Sequence, residues 1–200
     1  MPAQNGPARG GTDLIAAVRA CTLCDGLPLG PKPLLQWHPR ARILIAGQAP
    51  GKRAHEKGVP FDDPSGDRLR AWMGIGRDVF YDASRIAILP MGFCFPGKGA
   101  GGDLPPRAEC APAWRQRLLD HLSDLALILV IGQYALRWHV GGDASLTDTV
   151  RQWRRHWPRL LPLPHPSPRN GPWLKKNPWF AADVLPALQA RVRDILGQCS

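Results

Sequence analysis

The chain has 200 residues, 44% hydrophobic and 21% charged. Those values suit one globular domain with a sizeable core and exclude disorder along the whole chain. No uninterrupted apolar stretch approaches the roughly 18–20 residues of a membrane span. Lys and Arg total 26 against 16 Asp and Glu, a net charge of +10, which points to a polyanionic partner, nucleic acid before membrane.

Residues 1–11 are rich in Gly and Pro, carry no apolar leader core, and are expected to be a flexible tail on a single domain spanning 1–200. Thr12 is placed to cap a helix through TDLIAAVRAC. ARILIAG (41–47) reads as a buried strand ending in Gly, and Ser65 as the cap of a helix through DRLRAWMGI. SRIAILP (84–90) is a second strand; Pro105 and Pro106 then precede a helix to about Asp124. LALILVIG (125–132) is apolar on both faces and is the strongest strand, followed by a helix through GQYALRWHV. RLLPLP (159–164) is a fourth strand, and its prolines mark it as short or at an edge. The last helix runs from about Trp179 to Leu196, with Asn177 as its cap. Strands buried on both faces and alternating with helices imply a three-layer α/β/α fold around a four-stranded, mostly parallel sheet. Ligands of such sheets bind beyond the carboxyl ends of the strands, which points to GQAPG (47–51), PMGFCFPG (90–97) and HPSPRN (165–170).

The stretch 151–176 holds Arg151, Arg154, Arg155, Arg159, Arg169, Lys175 and Lys176, with Trp153, Trp157 and Trp173 among them and no acid. Basic side chains neutralise phosphates and aromatic faces stack on bases, although any single Trp fits a core better. Lys32–Arg53 also lacks acids and is the alternative footprint.

Of the five cysteines, Cys21 and Cys24 form a C-x2-C pair, and Cys94 and Cys110 follow singly far downstream. Structural zinc usually takes two close pairs. One pair plus two singles fits a [4Fe–4S] cluster on four thiolates. Cys199 reads as a free thiol. GQAPGKR is not a phosphate-binding P-loop: the glycines are too close together, and Arg53 stands where that loop needs Ser or Thr.

Taken together, GQAPG, GVPFDDPSGDRL (58–69), FCFPG (93–97) and HPSPRN resemble the uracil-DNA glycosylase superfamily. The cysteine spacing is similar to that of its iron–sulfur branches, the fourth and fifth, and HPSPRN to that of its single-strand-selective branch. The resemblance implies a monofunctional glycosylase that flips uracil, and other deaminated or altered bases, out of DNA and cleaves the N-glycosidic bond. With no apolar leader core in residues 1–11, cytoplasmic placement is expected, associated with the nucleoid when on DNA, and a monomer. His165 matches the catalytic histidine that stabilises the leaving base, and Phe61 the aromatic that stacks on it. Gly47, Gln48 and Ala49 would line the base pocket. Cys21, Cys24, Cys94 and Cys110 would hold the cluster. Ser167, Arg169, Trp173, Leu174, Lys175 and Lys176, with Arg154 and Arg155, would contact DNA, the loop after His165 supplying the wedge.

The chain departs from the family pattern in two places. Ala49 occupies the position of a water-activating acid or amide in some branches; the fifth branch's acid maps instead onto Asp63, with Asp62 as fallback. Asp63 reads equally as a helix cap. Pro90 occupies the position of the base-reading Asn, so recognition is expected from backbone around Met91, Gly92 and Phe93, or from Asn170, with looser specificity. No KRRIH-like segment follows GQAPG, so covalent trapping of DNA is not expected. The competing readings are a catalytically silent iron–sulfur protein that binds damaged DNA, and an iron–sulfur redox or nucleotide-binding protein.

Overall fold

The computed structural model describes residues 7–142 and 145–197; Cys199 and the first six residues of the expected tail lie outside them. The elements run α1 (Pro7–Arg19), β1 (Ile43–Ala46), α2 (Lys52–Lys57), α3 (Pro64–Met73), α4 (Arg77–Phe80), β2 (Ile86–Ile88), β3 (Lys98–Gly99), β4 (Gly102–Asp103), α5 (Cys110–Leu119) and β5 (Leu127–Ile131). They continue with α6 (Gln133–His139), α7 (Leu146–Arg151), a 3₁₀ turn (Trp153–Arg155), β6 (Leu160–Leu163), a second 3₁₀ turn (Pro168–Asn170), α8 (Gly171–Lys176), a π-helical turn (Phe180–Val184) and α9 (Leu185–Leu196).

Among the described residues the main sheet has four strands in the order β2-β1-β5-β6, all parallel, with β6 at an edge. Alternation along β1 separates the layers. Ile43 and Ile45 pack with Leu69, Trp72, Phe180 and Leu188 of α3, the π-helical turn and α9. Leu44 packs with Leu14, Val18 and Leu118 of α1 and α5, and Ala46 with Ala135 and Leu136 of α6. Every residue of β1 is buried, as a parallel strand between two helical layers requires. The result is a three-layer α/β/α fold.

Several boundaries differ from the sequence reading. The first helix begins at Pro7, ahead of Thr12. Asp63, not Ser65, caps α3: its backbone is extended, its carboxylate accepts the Gly66 N–H at 3.0 Å, and Pro64 takes the first helical position, where a missing donor costs nothing. α5 starts at Cys110 and stops at Leu119, so the prolines at 105 and 106 lie ahead of it. The last helix is divided into a π-helical turn and α9. The Asn177 side chain joins Trp173 O and Trp179 Nε1 instead of capping. The β3–β4 hairpin is too short to show a hydrophobic period.

All four strand ends open on one side, and the GQAPG, PMGF and HPSPRN loops meet there. Arg154 and Arg155 precede β6, so the parallel topology puts them at the opposite end of the sheet.

Candidate active site

A cavity of about 310 Å³ lies past the ends of β1, β2 and β6, within the range of small-molecule sites. Its walls are the GQAPG loop with the start of α2, Phe61, Asp63, Pro90, the β3–β4 hairpin and the loop from His165 to Arg169. Of the residues expected there, Gly47, Gln48, Ala49, Phe61, Asp63, His165, Ser167 and Arg169 all line it.

His165 follows β6 directly, so a buried strand fixes its backbone. The Ser167 N–H donates to His165 Nδ1 at 3.1 Å. A backbone N–H can only donate, so Nδ1 accepts and the neutral ring carries its proton on Nε2. Burial lowers the His165 pKa from its ordinary value of 6.5, opposed by the carboxylates of Asp63 and Asp103. The ring therefore stays neutral and a donor where an exposed histidine would be charged. The loop is held by neighbours: Asn170 Nδ2 donates to His165 O at 2.9 Å, and Arg68 Nη1 to Ser167 O at 2.9 Å.

Phe61 has φ 56°, left-handed backbone that a bulky residue rarely adopts. Its carbonyl lies so close over Gly66 that a Cβ there would overlap it. Its ring approaches Gly47 closely enough that a Cβ at that position would stand 3.3 Å from Cζ, and meets Phe80 edge-on at 6.3 Å. A strained residue held from several sides at a cavity wall is a mark of a built site. Asp63 has one carboxylate oxygen on the Gly66 N–H and borders the cavity, so it is both cap and site residue. Asp62 does not line the cavity. Arg77 at 2.7 Å and Lys57 at 3.2 Å hold it, the Arg77 hydrogen bond chiefly pulling its pKa down to about 2.

Other expectations are corrected. The Met91 and Gly92 N–H groups bond to Gly47 O and Gln48 O, both at 2.9 Å. Phe93 is core, and its N–H faces Cys110 Sγ at 3.4 Å. The Met91 and Gly92 N–H groups are consumed in joining the two loops and the Phe93 N–H in facing the thiol, so none of the three is free to donate to a base. Asn170 braces the His165 loop and does not border the cavity. Trp173 donates Nε1 to Thr147 and packs against Trp179 and Phe180, and Leu174 packs on the same core; neither projects as a wedge. Lys175 and Lys176 are exposed at the end of α8. Arg154 is exposed over the Trp153 ring at 4.5 Å, away from the cavity, whereas Lys52 and Arg53 of the alternative footprint border it.

Two contributions are not legible in the sequence. Lys98 and Asp103 arrive on the hairpin. Arg115 is fully buried and donates to Leu89 O at 2.7 Å and to Pro90 O at 3.2 Å, pinning the wall that Pro90 forms. Its Nη2 also meets His139 Nε2 at 2.7 Å, and burial, with the guanidinium, pushes His139 down to about 3.

Cys21, Cys24, Cys94 and Cys110 line a second, small cavity together with Gly92 and Phe93, and all four are free thiols. Donors point at the sulfurs: Trp114 Nε1 to Cys21 at 3.2 Å, the Leu23 N–H to Cys21 at 3.5 Å, and the Phe93 N–H to Cys110. Burial raises the thiol pKa at Cys24 and Cys94 and takes Cys110 to about 12. Among the described residues no three Cys, His, Asp or Glu side chains stand in an arrangement that would hold a single metal ion.

A candidate uracil DNA glycosylase from Methanosarcina acetivorans, solved by NMR in solution, is similar at 17% identity over 80% of this chain and 94% of its own, with a TM-score of 0.46. The model of the uracil DNA glycosylase superfamily matches residues 36–189. That match takes in β1, the cavity loops, His165 and the start of α9 and covers well over half of the sequence, so the chain belongs to the uracil DNA glycosylase superfamily.

Proposed function

We propose that the chain is a monofunctional DNA glycosylase that excises uracil, and carries a [4Fe–4S] cluster on Cys21, Cys24, Cys94 and Cys110. The observation that carries the reading is His165, kept neutral in the cavity wall with Nδ1 occupied and Nε2–H free to donate. A base flipped into the cavity would lie against Phe61, with its edge toward the Gln48 amide, a cavity side chain able to read both donors and acceptors. As the C1′–N1 bond breaks, its electron pair leaves on the base. The His165 Nε2–H donates to the oxygen where that charge collects. Water adds to the sugar carbon from the side of Asp63, whose second oxygen accepts its proton.

The test is release of free base from oligonucleotides containing uracil, hypoxanthine, xanthine or ethenocytosine, under single-turnover conditions with enzyme in excess. Uracil release supports the reading. Tight binding of all four without release favours the silent damaged-DNA binder instead.

Two expectations accompany the reading. The first concerns DNA. Lys52 and Arg53 border the cavity while Arg154 and Arg155 lie at the other end of the sheet. Replacing Lys52 and Arg53 by Ala should weaken binding and flatten its salt dependence, by about 0.9 in log–log slope for each phosphate no longer neutralised. The Arg154 and Arg155 double variant should leave the slope unchanged. Fluorescence anisotropy over a salt series measures both, and a flatter slope in the second variant alone would move the footprint away from the cavity. This polyanion-binding role suits a cytoplasmic protein associated with the nucleoid.

The second concerns iron. The four thiols and the N–H donors aimed at them suit a cluster, since hydrogen bonds to sulfur tune such sites. Bound iron would also offset the repulsion among four thiolates that burial penalises. Its contribution would be to tie the segment after α1 to the β2–α5 connection, closing a long loop. Purified protein should be brown with about four irons per chain, and Cys21→Ser should lower both iron content and thermal stability. Colourless protein with one zinc per chain would refute the cluster.

A further inference from the structure

The β3–β4 hairpin closes one side of the cavity. Pairing of Lys98 with Asp103 and Gly99 with Gly102 turns the chain back and brings both charged side chains to the cavity. Among the described residues no ion pair engages Asp103.

Gly51 lies beside this carboxylate and that of Asp63. A Cβ on Gly51 would stand 3.2 Å from Asp103 Oδ2 and 3.9 Å from Asp63 Oδ2, with no atom other than those of its chain neighbours closer than 4 Å. The backbone there has φ −75° and ψ 169°, which any residue adopts, so a methyl group at this position would press only on the tip of the Asp103 carboxylate. Asp103 Oδ2 and Asp63 Oδ2 thus approach the same edge of the cavity, beside Gly51. Asp63 Oδ1 is already engaged by the Gly66 N–H, which leaves Oδ2 for the cavity edge. His165 borders the same cavity, and Ala49 brings no water-activating group of its own.

We propose that Asp103 is a second catalytic carboxylate, holding with Asp63 the nucleophilic water at the edge of the cavity beside Gly51. The inference deepens the glycosylase reading and rests on it. The water oxygen bonds to C1′ as the C1′–N1 bond breaks, the electron pair leaves on N1 of the base, and the water proton passes to the carboxylate pair. Two carboxylates at one edge of the cavity give the water two acceptors, which fixes its orientation toward C1′. Their negative charge also favours the oxocarbenium-like sugar.

The experiment compares wild type, Asp103→Asn, Asp63→Asn, the double variant and Gly51→Ala in single-turnover release of uracil, with affinity for the same DNA measured separately. Each single Asn variant should be slower by about 10²–10³-fold with affinity unchanged, within the range for positioned acid–base groups. The double variant should lose less than the product of the two, because the residues act as a unit. Gly51→Ala, whose methyl group presses on the Asp103 carboxylate, should behave like them. Asp103→Asn releasing uracil at the wild-type rate overturns the proposal and leaves the glycosylase reading standing. Should wild type release no base, the reading itself fails. The proposal, which rests on that reading, then falls with it.

Discussion

His165→Ala should slow uracil release by about 10²–10³-fold, the usual worth of a preorganised donor aimed at developing charge, while leaving DNA affinity and iron content as they were. The reason lies in how the ring is held. The Ser167 N–H occupies Nδ1 at 3.1 Å, so the proton sits on Nε2, and burial disfavours the charged ring. The enzyme therefore uses a neutral donor, and the pH profile carries the signature. An ordinary histidine would give a break near pH 6.5; with the pKa lowered, the neutral ring persists below that value. The rate should hold as pH falls through 6.5 and drop only further down. The same shift costs stability in acid, because the unfolded chain binds a proton near 6.5 that the folded ring takes up only at lower pH. A wild-type break at 6.5, lost in His165→Ala, would show that the imidazolium is the active form. His165→Gln, which keeps a donor near the same place, should recover part of the lost rate.

Much of this is readable in the chain, and the reasons differ by residue. β1 and β5 declare themselves because a strand buried on both faces is a run of apolar residues with a glycine at its end. His165, Phe61 and the GQAPG loop are legible because each sits where a strand stops or a motif breaks. Asp63 carries two readings, cap and acid, and the structure keeps both, since one oxygen bonds Gly66 while the side chain still borders the cavity. The failures share a physical origin. Met91 and Gly92 look placed to read a base, but a backbone donor's partner depends on which loop lies beside it, here Gly47 and Gln48. Trp173 reads as a wedge because aromatics among basic residues mark nucleic-acid surfaces, yet Thr147 and two aromatic neighbours retain it. Arg154 and Arg155 are close to His165 in sequence and far from it in space, because a whole strand separates them. Asp103 sits on a hairpin of two-residue strands, too short for any periodicity to announce.

Arg115 and His139 show how the cavity wall is kept stiff. A guanidinium with no exposed surface and no carboxylate among its partners is costly to bury. It is retained with hydrogen bonds to Leu89 O and Pro90 O, the carbonyls at the end of β2 where the chain turns into the cavity wall. His139, held neutral, accepts from the same guanidinium. Pro90 itself has no N–H and cannot bond to the neighbouring loop as Met91 and Gly92 do. The buried arginine supplies from behind the restraint that the proline lacks.

Gly66→Ala should be the most damaging glycine-to-alanine change among the described residues. A Cβ at Gly66 would stand 2.7 Å from the Phe61 carbonyl carbon, closer still to its oxygen, and 3.0 Å from Phe61 Cβ. These are backbone and near-backbone atoms, so no side-chain rotation relieves the overlap. Either Phe61 leaves its left-handed conformation, or the first turn of α3 moves away from the Asp63 carboxylate. The first outcome withdraws the ring that would support the flipped base. The second removes a helix cap worth about 1 kcal/mol and releases the carboxylate aimed at water. Overpacking of this kind typically costs about 1–3 kcal/mol, and loss of the cap adds to it. Thermal unfolding of Gly66→Ala should show a drop of about 2–4 kcal/mol, with base release and DNA affinity falling together. That joint loss separates it from Asp63→Asn, which should spare affinity. Pro64 starts the same helix and is exposed: Pro64→Ala should change stability by less than about 1 kcal/mol. If Gly66→Ala folds and cleaves like wild type, the close approach of Phe61 to α3 is not what holds the aromatic wall in place.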